Sequence, residues 1–253
     1  MRILISNDDG INAEGIIQLR KSLEDQAEVF VVAPDRERSA TGHKITMHRP
    51  LRVKEQSYPG TNSKGWAVDG TPSDCVKLGL EALLPVPPDL VVAGINLGPN
   101  LGTDVLYSGT VSAAIEGIIN DVPAIAISLA SYEFQDFTYS GKFIKKLVTK
   151  CGKELHGGIL LNINIPPGVP RGIRITKLGN RRYTNVFYKR TDPRGGTYFW
   201  MAGEPFDVDG NDPDTDVWAV NEGFISITPV HYDLTNYTVL DDVKNLVKEF
   251  NTF

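Results

Sequence analysis

Near its amino terminus the chain reads Ile3-Leu4-Ile5-Ser6-Asn7-Asp8-Asp9-Gly10, three apolar residues followed at once by two carboxylates. A continuous apolar run is the pattern of a parallel strand buried on both faces. In an open α/β sheet, ligands gather beyond the carboxyl ends of the strands. Two uncompensated negative charges placed there repel each other and lose hydration. A divalent cation removes both costs, so this segment predicts a metal site built on the first strand. A single acid would serve as a cap or turn residue, but two adjacent acids ask for more. Neighbouring strand residues face opposite ways. Both acids therefore reach one ion only where the chain bends, and Gly10 permits that bend.

Strand and helix patterns alternate behind this start. Residues 3–6 and 29–33 read as strands, and residues 14–25 carry Ile16, Ile17, Leu19 and Leu23 at helical spacing. Residues 35–43 form a polar loop, and residues 46–54 and 66–68 an extended excursion around a turn at 59–62. Thr71-Pro72-Ser73-Asp74 predicts a helix with Thr71 at N-cap, running to about residue 84, where Pro85, Pro87 and Pro88 stop it. Residues 90–93 predict a strand, 94–103 a loop, 108–120 a helix, 124–129 a strand, 141–150 a helix and 159–165 a strand. This order predicts an α/β fold with a doubly wound, mostly parallel sheet. The expected organisation is one α/β domain over residues 1–253, with a core over about 1–170 and a carboxyl-terminal arm and helix over about 171–253. In that second part residues 173–177 and 224–228 read as strands, 190–216 as a long exposed arm or loop, and 241–250 as a short helix.

Composition narrows the function classes. A formal charge of −5 argues against a nucleic-acid polymer as partner. It leaves room for a small anion held beside a local cation. No stretch approaches the ~18 apolar residues of a membrane span, and the first apolar run is too short for a signal peptide. A cytoplasmic protein is expected, with Cys75 and Cys151 as separate reduced thiols and the Asn236 sequon a chance match.

Three more segments stand at expected strand or helix ends. Glu37-Arg38-Ser39-Ala40-Thr41-Gly42-His43 offers hydroxyl oxygens and a histidine. Gly94-Ile95-Asn96-Leu97-Gly98 offers a neutral carbonyl oxygen at Asn96. Tyr107-Ser108-Gly109-Thr110-Val111 opens a helix whose free N–H groups suit an anion, although Ser108 as an ordinary N-cap explains it equally well. Asp8, Asp9, Ser39 and Asn96 are all oxygen donors, which suits Mg²⁺, Mn²⁺ or Ca²⁺ better than Zn²⁺. No GxGxxG or P-loop pattern occurs.

These motifs, together with Val32-Ala33-Pro34-Asp35 and Asp69-Gly70-Thr71-Pro72, stand in an order that resembles the SurE family of survival-protein nucleotidases over roughly residues 1–128. The resemblance implies a Rossmann-like core and a metal-dependent phosphomonoesterase. Its substrates would be nucleoside 5′- and 3′-monophosphates, with some action on short polyphosphate. It also implies one cation per subunit, Mg²⁺ or Mn²⁺, held by Asp8, Asp9, Ser39 and Asn96. Gly42, Ser108, Gly109 and Thr110 become the expected phosphate contacts, Asp8 and Asp9 the expected catalytic carboxylates, either of them as base or nucleophile, and His43 the expected proton donor to the leaving group. The carboxyl-terminal region is expected to reach another subunit, giving a homodimer or homotetramer. Water activated in the site is preferred over a carboxylate nucleophile. Two competing functions remain at this point: a nicotinamide-dependent oxidoreductase using Asp35, and a non-catalytic, metal-gated nucleotide binder.

Overall fold

The computed structural model describes residues 1–152 and 154–250. Its first strands and helices are β1 (Arg2–Ser6), α1 (Glu14–Leu23), β2 (Glu28–Pro34), β3 (Val53–Gln56), β4 (Lys64–Val68), α2 (Pro72–Leu78), β5 (Leu90–Leu97) and α3 (Gly109–Ile119). Then come β6 (Ala124–Leu129), α4 (Thr138–Cys151), β7 (Leu160–Ile165), β8 (Ile173–Ile175), β9 (Arg181–Thr184), β10 (Phe187–Thr191) and β11 (Thr197–Met201). The last are β12 (Glu204–Asp207), α5 (Asp216–Asn221), β13 (Ile225–Val230) and α6 (Leu240–Leu246).

Nine strands form one mixed sheet in the order β3-β4-β2-β1-β5-β6-β7-β13-β8. β4, β2, β1, β5, β6 and β7 run parallel, while β3 and β13 pair antiparallel with their neighbours β4 and β7. The fold is α/β, as the alternation predicts. The central strands are mostly apolar because each has two cores to fill, with Ser128 of β6 and Asn162 and Asn164 of β7 as buried polar exceptions. Ile3 and Ile5 of β1 join a layer with Ile16 and Leu19 of α1 and Ile144 and Val148 of α4. Leu4, between them, joins the opposite layer with Val76 of α2 and Val111, Ala114 and Ile118 of α3. Each such fully buried aliphatic side chain contributes roughly 1.5–3 kcal/mol.

The chain leaves β1 toward β2 on one side and later returns to β5 on the other. That reversal is a topological switch point, where a crevice opens at the carboxyl ends of the two strands. Asp8 and Asp9 follow β1 directly, and Asn96 lies near the end of β5.

Several boundaries differ from the sequence reading. The strand expected over 90–93 continues to Leu97, past a register shift against β6 between Ala93 and Asn96, so Asn96 belongs to a strand end and not to a free loop. The helix expected to reach 84 is α2, with a full capping box between Thr71 and Asp74, followed by a wider π-turn over Gly79–Leu83. The arm expected over 190–216, a β-arm extending from the core, is built of strands and the start of a helix. β10 and β11 pair as a hairpin, β12 pairs with β9, and α5 begins at Asp216. Cys75 is buried and free, whereas the Cys151 side chain lies outside the described residues.

Asp216 ties this second part to the first. Its buried carboxylate accepts the backbone N–H of Gly102 at 2.9 Å and of Gly179 at 2.8 Å. It also accepts that of Val217 at 2.8 Å. Burial raises its pKa although all three N–H groups act to lower it. The same stretch before α3 is held from below by Asn100, whose backbone and side chain bond Asn162, Asn164 and Ser128.

Candidate active site

The site begins with Asp8, which is 7% exposed at the end of β1. The side-chain amide of Asn7 bonds the backbone of Gly10 in both directions and folds the turn after the strand. This turn lets two consecutive acids share one end of the sheet. Gly10 itself has φ +100, where a side chain would be strained.

α3 meets this turn end-on. Ser108 is its N-cap, with Oγ accepting the N–H of Val111 at 3.0 Å. The Thr110 hydroxyl donates to Asp8 Oδ1, and the Thr110 backbone N–H also lowers the pKa of Asp8. Gly109 faces the same carboxylate so closely that a Cβ there would stand 2.7 Å from Asp8 Cβ and 2.8 Å from Oδ2. Asp8 thus occupies part of the positive helix terminus where the sequence reading placed a phosphate. The Thr110 proton goes to Asp8, whereas Ser108 Oγ only accepts and keeps its own proton to give. The Gly109 N–H, at the first helical position, has no acceptor within its own helix.

Asn96 completes this side. Its Nδ2 donates to the Gly98 carbonyl at 2.8 Å, which turns Oδ1 toward Thr110 Oγ1, 3.4 Å away. The single Thr110 proton goes to Asp8, so the lone pairs of Asn96 Oδ1 stay available. Asp9 Oδ2 lies 3.4 Å from the Leu97 N–H. The loop after β2 covers the other side. Arg38 N–H donates to the Asp8 carbonyl at 2.7 Å, and Gly42 N–H to the Tyr107 carbonyl at 3.1 Å. Ser39 donates its hydroxyl to Glu37 Oε1 at 2.7 Å, leaving its oxygen lone pairs free.

The electrostatics are those of a site short of positive charge. Burial raises the pKa of Asp8, with Glu37 adding to the effect. Burial and then the neighbouring Asp8 push Asp9 up to about 6. Among the described residues no Lys, Arg or His forms an ion pair with Asp8, Asp9 or Glu37; the nearby Arg38 pairs with Asp35 instead. Nor does a group of three His, Cys, Asp or Glu side chains stand ready to hold a metal. A cation here would therefore draw on two carboxylates and on the neutral oxygens of Asn96 and Ser39. That hard, all-oxygen set fits Mg²⁺ or Mn²⁺.

Two expected residues sit differently from the rest. His43 Nε2 bonds Glu116 Oε2 at 2.8 Å, and Glu116 also takes Lys77 at 3.2 Å. Burial works to raise the pKa of Glu116, but His43 and Lys77 hold it below the ordinary value. Glu116 lies two turns beyond Gly109, about 10 Å along the helix at 1.5 Å per residue. His43 is thereby fastened to the flank of α3. Asp35, the acid that a nicotinamide site would need, is bonded to Arg38 at 3.4 Å. Glu37 is the residue that the sequence reading passed over. It lies in the Glu37–His43 segment, and only the fold brings its charge near enough to raise the pKa of Asp8 and Asp9. A surface depression of about 890 Å³ between Met1, Glu24–Glu28 and Thr61–Lys64 lies at the opposite end of the sheet.

The chain matches the family described as "Survival protein SurE" over residues 3–185. It is 72% identical over 248 residues to a protein named 5′-nucleotidase SurE from Pelotomaculum thermopropionicum, covering 98% of this chain and 96% of that one. A protein of the same name from Desulforamulus reducens is 63% identical over 241 residues, covering 94% and 95%. The crystal structure of SurE protein from Aquifex aeolicus superposes with a TM-score of 0.84 at 41% identity, covering 97% of this chain and 99% of that one.

Proposed function

The chain belongs to the survival protein SurE family, and on that premise we propose that it is a metal-dependent 5′-nucleotidase. It would hydrolyse nucleoside 5′-monophosphates to nucleoside and phosphate. Action on 3′-monophosphates and short polyphosphate belongs to the same proposal, since the groups named here would recognise a phosphate and not the rest of the ester. The observation that carries the reading is the unpaired Asp8–Asp9–Glu37 charge at the switch point, next to the α3 terminus. A dinucleotide site would place its pyrophosphate on the helix after β1, and these acids would repel it. A purely structural role would leave buried like charges with no compensation.

Asp8, Asp9, Ser39 and Asn96 would hold one Mg²⁺ or Mn²⁺ ion. When bound, the ion supplies Lewis-acid activation of water and neutralises the phosphate. The chain's own groups do the remainder. Thr110 fixes Asp8 through a charge-assisted hydrogen bond. The Gly109 N–H and the Ser108 hydroxyl would meet the phosphate oxygens, with Thr110 and the Gly42 loop, whose N–H is held by the Tyr107 carbonyl, beside them. Asp9, less buried than Asp8, would be the carboxylate that takes a proton from the attacking water. His43 acts as the leaving group's acid only if its ring leaves Glu116.

The protein is proposed to work in the cytoplasm as a homodimer or homotetramer; no helix among the described residues is long and apolar enough to cross a membrane. The β10–β11 hairpin supports assembly, because Phe187, Phe199, Trp200 and Met201 are each more than half exposed on a hairpin that belongs to no larger sheet. An isolated hairpin is marginal in water, and burial against another copy would stabilise it.

The experiment is phosphate release from AMP with Mg²⁺ or Mn²⁺, its abolition by a chelator, and its loss in Asp8→Asn. Wild-type rates in that variant, or full activity under chelation, would remove the proposed site.

A further inference from the structure

Tyr132 stands just past the end of β6, on the same edge of the sheet as Asp8 and Asn96. Its ring packs on Gly98, where a Cβ would lie only 2.5 Å from Tyr132 Cε1. Gly98 is also the residue whose carbonyl holds the Asn96 amide. The tyrosine therefore rests on the segment that presents Asn96 to the acid pair. One edge of the ring is seated while the residue as a whole stays 74% exposed. Such exposure is unusual for an aromatic residue fixed beside a functional site.

A second aromatic residue stands close by. Tyr183 of β9 donates its hydroxyl to Asp104 Oδ2 at 2.8 Å. The Asp104 backbone carbonyl accepts the N–H groups of Tyr107 and Ser108 at the entry to α3. Burial and the Asp104 bond raise the Tyr183 pKa, and Tyr132 is near enough to add to that rise. The two rings thus form one wall of the mouth, on the β5–β6 side. Tyr183 is fixed by its hydroxyl, whereas Tyr132 keeps a ring surface facing water.

We infer that Tyr132 is the specificity-determining residue that receives the nucleobase by stacking. A phosphate at Asn96 and the α3 terminus carries its sugar outward, and the base lies one sugar further, at this wall. An aromatic platform accepts every base, because each has a π-face. It would therefore favour nucleotides over plain phosphate esters without choosing strongly among them. This inference rests on the nucleotidase reading and adds to it the part of the substrate that the metal end does not touch.

The test compares AMP with ribose 5-phosphate, the same sugar phosphate without a base, in wild type, Tyr132→Ala and Tyr132→Phe. The ratio of kcat/KM for AMP to that for ribose 5-phosphate should fall about tenfold or more in Tyr132→Ala, as expected for loss of one base–aromatic stack. The loss should lie in KM, because stacking is alike in ground and transition states. Tyr132→Phe keeps the ring and should keep the wild-type ratio. An unchanged ratio in Tyr132→Ala overturns the inference, and so does a Phe variant as impaired as Ala. Calorimetric binding of both ligands with Mg²⁺ gives a readout without turnover, and it should show the same selective loss for AMP. Wild type that binds AMP selectively through Tyr132 but never releases phosphate would refute the nucleotidase reading and leave the stacking intact.

Discussion

Gly109→Ala is the smallest change that tests how the acid site is built. The added methyl would stand 2.7 Å from Asp8 Cβ, where ordinary contacts begin at 3.4 Å. Neither partner can yield cheaply. Asp8 is buried, its carboxylate is held by Thr110, and its backbone carbonyl is held by Arg38. The carboxylate and the helix start must therefore separate by about 0.7 Å. A misplacement near 1 Å costs on the order of 10²-fold in rate, so a 10- to 100-fold fall in kcat/KM for AMP is expected, roughly 1.4–2.7 kcal/mol. Stability should change little. Alanine in place of helical glycine gains up to about 1 kcal/mol, and overpacking costs about 1–3 kcal/mol. The assay is phosphate release at saturating Mn²⁺, with the thermal midpoint measured in parallel. Activity within threefold of wild type would show that the α3 terminus does not set the position of Asp8.

Thr110→Val keeps the shape and removes the donor. The Thr110 bond lowers the Asp8 pKa, so its loss should move the acid limb of the kcat/KM profile to higher pH and cut the rate at pH 7.5 at least tenfold, at about 1.5–3 kcal/mol for a hydrogen bond to a charged group; an unmoved limb would count against this placement. Asp9 has its folded pKa raised, so its contribution to metal-free stability is fully present below about 3.8 and is lost as pH rises through about 6. Thermal midpoints of the chelated protein should accordingly show this loss between pH 4 and pH 7, and Asp9→Asn should remove it; the same slope in both proteins would contradict the assignment. His43→Ala should lower AMP turnover less than tenfold if the ring only fastens its loop to Glu116. A loss of 10²-fold or more with AMP, absent for p-nitrophenyl phosphate with its good leaving group, would instead make it the acid.

The sequence showed the donors better than their arrangement. Asp8 and Asp9 were legible because a strand pattern ended in two charges with no turn reason for both. Asn96 was visible as a donor but was assigned to a loop, because Gly94 and Gly98 read as breakers while the pairing that carries β5 on to Leu97 comes from β6. Ser108 and Thr110 are legible as hydroxyls at a helix start, but nothing local reveals that Asp8, 102 residues earlier, takes the Thr110 proton. Residues 190–216 lacked aliphatic period and read as irregular. The β10–β11 hairpin carries aromatic residues on both faces and so shows no apolar–polar alternation, and α5, six residues long, is too short for periodicity to register. The His43–Glu116–Lys77 group joins three separate segments and has no signature along the chain.

The reach of Asp216 into the stretch before α3 has a practical consequence for anyone seeking a minimal enzyme. A fragment stopped near residue 170 would retain β1, β5 and every proposed ion ligand, yet it would strip the partner from the Gly102 N–H and loosen the approach to Ser108. Such a fragment should keep much of its sheet while its catalytic end slackens. In this architecture the later third of the polypeptide works as a buttress for chemistry encoded in the first.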